Sequence, residues 1–257
     1  DAAIAVQLVL TLVEPQSSGI GGGAFMLHWD KKTENLTTFD GRETAPAAAT
    51  TDMFLDEQGK PISWISAVVG GRSVGVPGVL AGLKKAHDKY GKLPWPLLFK
   101  DAIKLAEQGF IVSPRLEKLV AMEFNPGITK LATIKNYFSP IAPGRLTLAD
   151  MKNYAAKELP AVCGPYRQYR VCGMAPPSSG GVAIIQILGQ LEKFDLTKLS
   201  INDVKFAHLF SQSSRLAFAD RNRYIADSSF VNVPTQGLIT QSYMAERASL
   251  IDLNKDM

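Results

Sequence analysis

The stretch that decides the fold is residues 17–46, which read SSGIGGGAFMLHWDKKTENLTTFDGRETAP. Phe25, Leu27 and Trp29 alternate with other residues at the two-residue period of a strand. Residues 30–34 form a polar turn, and residues 36–39 return as a second strand. Two strands therefore run from a glycine-rich entry to a single arginine, Arg42. A rigid scaffold can aim a side chain just past a strand end into a cleft, so Arg42 is the first candidate site residue.

The glycine run formally fits a dinucleotide-binding fingerprint, GxGxxG, over residues 19–24. That fingerprint binds pyrophosphate only when a strand precedes it and a helix follows, because the helix N-terminus holds the phosphates. Here a helical pattern precedes and a strand follows. The order favours a tight helix-to-strand connection over nucleotide binding.

Composition places the chain among globular proteins that bury a full core. It has 257 residues, of which 46% are hydrophobic and 20% charged, and a net charge of +4. Lys and Arg are scattered rather than clustered on a stripe, so we expect no nucleic-acid partner. No apolar run reaches the roughly 20 residues that a membrane span needs, so we expect no membrane partner. No internal linker is evident, and we predict one domain over residues 1–257.

Helical patterns dominate the rest of the sequence. Residues 1–13 are apolar almost all round, which is typical of a buried helix. Asp1 opens directly into this pattern, as expected of a processed boundary or of the limit of an ordered region. Residues 47–61 read as a loop, and 125–144 have no clear periodicity. The other predicted helices run from Pro77 to just before Gly91, from Pro94 or Pro96 to Gly109, over 113–122, 147–154 and 181–194, and from Ile201 or Asn202 to Tyr224, and a last short helix precedes residues 252–257. The side chains expected inward on the helix over 181–194 and on the helix that ends at Tyr224 are Ile184, Ile185, Ile187, Leu188, Leu191, Phe206, Phe210, Ala217 and Phe218.

The only two cysteines lie in a predicted hairpin over residues 160–174. A turn at Arg167-Gln168 places Tyr166 opposite Tyr169, and counting outward places Cys163 opposite Cys172. Such a non-hydrogen-bonded pair has Cα atoms about 4.5 Å apart, which is within disulfide range. Two free buried thiols remain the alternative, because Arg-Gln is not a strong hairpin turn.

Other groups that could carry chemistry have structural explanations. His28, His87 and His208 have no partner at the spacing of metal ligands, so we predict no metal site. Ser178 and Ser179 precede a predicted helix, but no nucleophile elbow surrounds them and no base can be assigned. We interpret both serines as helix caps.

Four further stretches complete a set of ordered motifs with the residues from Ser17 to Met26. They read DGRETAP (40–46), RSVGVPG (72–78), APPSSGG (175–181) and ADRNRY (219–224). In this order and over nearly the whole chain, they closely resemble the large subunit of the gamma-glutamyltransferases, or glutathione hydrolases. The corresponding segment of that family around 125–144 is longer, so this chain is shorter there or lacks residues near 138–145.

The resemblance implies a fold and a site. The fold is the N-terminal-nucleophile hydrolase αββα sandwich, an α/β (α+β) class, shared with a second, small-subunit chain. The arginine that matches Arg42 binds the α-carboxylate of the γ-glutamyl group, which suits a planar guanidinium. From the sequence alone, a structural salt bridge of Arg42 with Asp40 or Glu43 is the competing interpretation.

The resemblance also implies where the catalytic chemistry resides. The family's nucleophile is the N-terminal threonine of the small subunit, released when a precursor cleaves itself, so we expect no catalytic residue in this chain. The expected activity is transfer of a γ-glutamyl group from glutathione or a similar donor to water or an amine, without a cofactor. A cephalosporin or glutaryl acylase and an inactive scaffold are the alternatives. Most of the family is exported, so we expect a periplasmic or secreted protein.

Overall fold

The structure is a computed structural model that describes residues 1–68, 70–120, 145–253 and 255. These residues divide into two compact units, one made of Asp1–Met26 and Phe39–Lys157, the other of Leu27–Thr38 and Glu158–Met257. The prediction of a single domain over 1–257 stays a prediction. The end of a helix predicted at Met122 and the aperiodic segment 125–144 lie outside the described residues.

The predicted hairpin is confirmed, and the division into units falls within its strands. Strands β1 (Ala24–Asp30) and β2 (Asn35–Gly41) are joined by a polar turn and form a three-stranded sheet with β3 (Lys157–Pro160), in the order β1-β2-β3. Strand β3 was not predicted from the sequence. In this chain Leu27 and Trp29 lie on the exposed side of β1, whereas residues 37–41 of β2 are buried.

The first unit is built from helices around a small core. Its helices are α1 (Ala2–Val13), α2 (Trp64–Val68), α3 (Val79–Tyr90), α4 (Lys100–Gln108), α5 (Pro114–Val120) and α6 (Leu148–Asn153), with a 3₁₀ turn at Trp95–Phe99 leading into α4. Ile4 and Leu8 of α1 pack against Val79, Leu83 and Leu98. Burial of each such side chain stabilises the fold by about 1.5–3 kcal/mol.

One feature of α1 differs from the prediction of a buried helix. Only Ile4 and Leu8 are buried, and Val6 is 58% exposed. The helix is apolar on all sides, but the described residues of its own unit cover one side only.

The second unit is centred on α7 (Gly180–Leu191). One side of α7 packs against α8 (Val204–Tyr224), and the other packs against the hairpin of β4 (Val162–Tyr166) and β5 (Tyr169–Gly173) and against α10 (Gln241–Ala248). A short helix, α9 (Thr235–Leu238), precedes α10. Two buried clusters result, one around Ile187, Leu209 and Ala217, the other around Ile185 and Met244.

The prediction of which side chains point inward on α7 and α8 is partly wrong. Ile185, Ile187, Leu191 and Ala217 are buried, but Ile184, Phe210 and Phe218 are 53%, 49% and 53% exposed. The residues that α8 buries are Leu209, Gln212, Ser213, Leu216, Ala217 and Asp220. Small and polar residues therefore occupy much of the contact between these helices. Placing the large apolar side chains inward therefore gave the wrong face of α8.

The predicted hairpin register is confirmed, and of the two states left open for the cysteines the structure shows the disulfide. Tyr166 lies opposite Tyr169 and Cys163 opposite Cys172. The two cysteines form a disulfide, with Cα atoms 4.1 Å apart. The turn at Arg167 has a left-handed backbone, φ 52°.

The disulfide predicts the result of a thiol titration. The denatured, unreduced protein should show no free thiol, and two after reduction, since both cysteines are bonded. Closing a loop of about ten residues should raise the free energy of unfolding by roughly 2–3 kcal/mol. As a control, Cys163→Ser should expose one thiol with or without reductant. Two thiols in the unreduced wild-type protein would show that the bond is absent.

Candidate substrate-binding site

The backbone of Arg42 is fixed on both sides at the end of β2. Its N–H donates to Asp40 Oδ1 at 2.9 Å, and its carbonyl oxygen accepts a hydrogen bond from the Tyr154 hydroxyl at 2.7 Å. Asp40 is only 7% exposed, so its carboxylate depends on such donors. The resulting geometry holds the residue at a defined place after the strand.

Tyr154 remains a donor over the ordinary pH range. Burial raises the pKa of Tyr154 to about 12, and the carboxylates of Asp40 and Glu43 add to the effect. Its ring lies over Gly78, where any Cβ would meet the hydroxyl oxygen at 2.0 Å. A bulkier residue at 78 would therefore displace the ring that holds the Arg42 carbonyl.

The glycine run packs directly against the Arg42 segment. A Cβ on Gly23 would lie 2.8 Å from both the Arg42 Cα and the Gly41 oxygen, and 2.5 Å from Glu43 Oε2. The Gly22 carbonyl accepts hydrogen bonds from the N–H groups of Gly78 and Val79, each at 3.1 Å, at the start of α3. The run therefore follows α1 and precedes β1, as predicted, and its glycines permit close backbone contact.

The motif over residues 72–78 lies beside the one over residues 40–46. Thr44 and Val76 exchange backbone hydrogen bonds of 3.3 and 2.8 Å. A Cβ on Gly75 would meet the Thr44 oxygen and the Glu43 Cβ, both at 3.0 Å. Motifs that are separate in sequence thus form one site within the first unit.

Arg42 lines a cavity of about 570 Å³. Its guanidinium carbon lies 5.9 Å from the centre of the Phe25 ring. Among the residues that the structure describes, no carboxylate pairs with Arg42 within 4.0 Å. Asp40 instead accepts the Arg42 backbone N–H, and the Glu43 carboxylate lies against Gly22 and Gly23. The structural salt bridge, the competing interpretation of Arg42, is therefore absent here.

Two further charged residues line the same cavity and were not predicted as site residues. They are Glu43 and Arg72. Arg72 stood in a quoted motif, but its proximity to Arg42 depends on the pairing of Thr44 with Val76. The rest of the lining consists of Gly21, Thr44, Ala45, Pro46, Ala49, Met53, Phe54, Ser73, Val74 and Gly75.

The motifs over residues 175–181 and 219–224 lie in the second unit and have structural roles there. Asp220 is 4% exposed, and its carboxylate accepts from Gln186 Nε2 at 3.0 Å and pairs with Arg247 Nη2 at 3.1 Å. Burial raises the pKa of Tyr243 to about 12, and its hydrogen bond to Asp220 adds to this. Removing one partner of such a buried pair typically costs about 3–5 kcal/mol.

The serine pair is placed at the start of α7, as predicted, but the expected capping is weak. Ser179 occupies the N-cap position without a side-chain cap hydrogen bond, and Ser178 Oγ accepts from the Gly180 N–H at 3.4 Å. Gly181 approaches the Met174 oxygen so closely that a Cβ would lie 2.5 Å from it. The motif therefore serves mainly the close contact between β5 and α7.

The described residues contain no group of three His, Cys, Asp or Glu side chains that could hold a metal ion. His87 Nε2 contacts the backbone carbonyl oxygen of Leu93 at 2.8 Å, and His208 Nε2 contacts the backbone carbonyl oxygen of Asp252 at 2.7 Å. None of the helices within the described ranges is both long enough and apolar enough to cross a membrane.

Comparison with known proteins shows the family of this chain. The gamma-glutamyltranspeptidase family matches residues 1–145 and 141–257. A glutathione hydrolase proenzyme of Escherichia coli K12 is 36% identical over 300 positions, covering 99% of this chain and 51% of the relative. An acylase ACY 1 proenzyme of Pseudomonas sp. SE83 is 31% identical, covering 99% of this chain and 54% of the relative. The crystal structure of Helicobacter pylori gamma-glutamyltranspeptidase superposes with a TM-score of 0.90 at 30% identity, covering 100% of this chain and 86% of that chain.

These likenesses confirm the predicted fold class, that of the N-terminal-nucleophile hydrolases. The chain belongs to the gamma-glutamyltranspeptidase family. It spans about half the length of the curated relatives it matches. The 300 aligned positions also exceed its 257 residues, so the relatives carry extra residues within the aligned region. The two family matches meet at residues 141–145, which indicates that the difference falls near the segment predicted to be short.

Proposed function

We propose that this chain is the large subunit of a gamma-glutamyltransferase, with Arg42 as the ligand of the donor's α-carboxylate. The observation that carries the proposal is that Arg42 lines a cavity of about 570 Å³ and has no carboxylate partner among the described residues. A guanidinium offers two parallel N–H donors that match a carboxylate. The cavity lies within the usual size range of small-molecule sites.

The reaction that we propose needs a second chain. Its N-terminal threonine would attack the γ-glutamyl carbonyl, with the free α-amine as base, and the resulting ester would pass to water or to an amine. The relatives are named as proenzymes and are about twice as long as this chain, which supports a partner from the same precursor. The partly uncovered α1, with Val6 exposed, supports a partner as well.

An acylase of the same superfamily is the second candidate. The acylase ACY 1 proenzyme at 31% identity favours it, and an arginine could hold the carboxylate of a glutaryl group in the same way. The glutathione hydrolase proenzymes at 34–36% identity favour the transferase. A periplasmic or secreted location is part of the proposal and is supported by the disulfide, since such bonds persist in oxidising compartments.

Expression of the full precursor tests this proposal. We expect two chains, the second beginning with threonine by N-terminal sequencing, and turnover of γ-glutamyl-p-nitroanilide well above that of glutaryl-7-aminocephalosporanic acid. The present chain expressed alone should show no turnover, because the nucleophile is expected on its partner. A reversed donor preference would indicate the acylase. An uncleaved precursor without turnover would indicate an inactive scaffold.

A further inference from the structure

The Arg42 cavity carries more charge than recognition of one carboxylate requires. Its charged lining consists of Arg42, Arg72 and Glu43, which gives a net charge of +1. Arg72 enters from the segment that pairs with Thr44 through Val76. Two arginines from neighbouring segments therefore line one cavity, which suits a ligand with two anionic groups.

Arg72 has one hydrogen bond and no ion pair among the described residues. Its side chain is half-buried, and Nη1 donates to the Met53 carbonyl oxygen at 3.2 Å. In the described parts of the chain, no carboxylate forms an ion pair with it. A guanidinium has several N–H donors, and a buried charge is costly unless it is paired. The remaining donors of Arg72 are available to a bound anion.

We propose that Arg72 binds a second carboxylate of the donor, the one on the group that leaves when the γ-glutamyl moiety is transferred. This inference rests on the proposed function, in which Arg42 holds the α-carboxylate. A γ-glutamyl peptide carries both carboxylates, whereas a γ-glutamyl anilide carries only the first. Arg72 thereby gives the site a preference for donors that end in a free carboxylate.

A matched pair of donors tests the inference in the assembled two-chain enzyme. γ-Glutamylglycine has the second carboxylate, and γ-glutamylglycinamide replaces it with a neutral amide. We expect Arg72→Gln to lower kcat/KM about tenfold or more for the acid, mainly through KM, and to change it less than about twofold for the amide. Arg72→Lys should restore part of the preference, because it keeps the charge but loses the fork.

The control is Arg145→Gln. Arg145 also donates from Nη1 to a backbone carbonyl, that of Ala48 at 2.6 Å, but it does not line the cavity. This variant should leave the ratio of the two donors unchanged. An equal loss for both donors in Arg72→Gln would overturn the proposal, because it would show that Arg72 only supports the Met53 loop. No loss of kcat/KM for either donor in Arg72→Gln would overturn it as well.

Failure of the proposed function is recognised separately. If the assembled wild-type protein turns over neither donor, that function is wrong, and equilibrium binding of the same two compounds by calorimetry then decides the role of Arg72. Tighter binding of the acid that is lost in Arg72→Gln would support a carboxylate site. Equal binding of acid and amide by the wild-type protein would overturn it.

Discussion

Arg42→Ala in the assembled two-chain enzyme is expected to lower kcat/KM for γ-glutamyl donors by about two orders of magnitude, which corresponds to roughly 2.7 kcal/mol. Arg42 lines the cavity and has no ion pair among the described residues, so loss of its guanidinium removes the proposed ligand for the donor without breaking an internal bridge. Donor kinetics measure the effect. The melting temperature should change little, because Arg42 is exposed and its backbone contacts remain.

Two further variants distinguish loss of the two parallel hydrogen bonds from loss of the charge, and both from the general effect of removing an exposed arginine. Arg42→Lys should recover only part of the activity, since an ammonium keeps the charge but cannot form two parallel bonds. Arg223→Ala is the matched control, because Arg223 is also exposed and lies 5.6 Å from an aromatic ring, that of Tyr224. Both Arg42 variants should still cleave into two subunits on a gel. Near-normal kcat/KM in fully cleaved Arg42→Ala would show that Arg42 does not bind the donor.

Features set by local geometry were predictable from the sequence. The two-residue turn at Arg167-Gln168 fixes every cross-strand pair of its hairpin, so counting placed Cys163 opposite Cys172 but left their bonding open. The order of α1, glycine run and β1 followed from periodicity, which is why nucleotide binding was disfavoured. The helix predicted over residues 147–154 begins with a capping box of Thr147 and Asp150, which likewise depends on neighbours in sequence.

Features set by tertiary contacts were not predictable in the same way. Arg72 joins Arg42 only because the segment around Val76 pairs with Thr44, and no local pattern encodes that pairing. The prediction of which side of α8 faces inward was wrong, because this helix buries Gln212, Ser213 and Ala217 and exposes Phe210 and Phe218. Arg42 itself was identified through the family motif, since a lone arginine after a strand would otherwise be interpreted as part of a salt bridge.

Substitution of Gly23 in the glycine run is expected to have the second large effect on activity, because it disturbs backbone packing and not charge. A methyl group at Gly23 would lie 2.8 Å from the Arg42 Cα and from the Gly41 oxygen, and backbone atoms cannot rotate away as a side chain can. Gly23→Ala should therefore lower the free energy of unfolding by roughly 1–3 kcal/mol, the usual cost of overpacking. It should also lower kcat/KM for γ-glutamyl donors by about tenfold or more, because the segment that positions Arg42 must shift.

Gly19→Ala is the matched control within the same run. A Cβ there would meet only the Gly21 nitrogen, at 4.0 Å, and Gly19 does not line the Arg42 cavity. Its free energy of unfolding should stay the same or rise by about 0.4–1 kcal/mol, because alanine restricts the unfolded chain. Chemical denaturation of both variants measures the difference, and donor kinetics follow on the assembled enzyme. Equal stability and equal kinetics for Gly23→Ala and Gly19→Ala would show that the glycine run does not position Arg42, whereas loss confined to Gly23→Ala would show that close backbone packing holds the site in place.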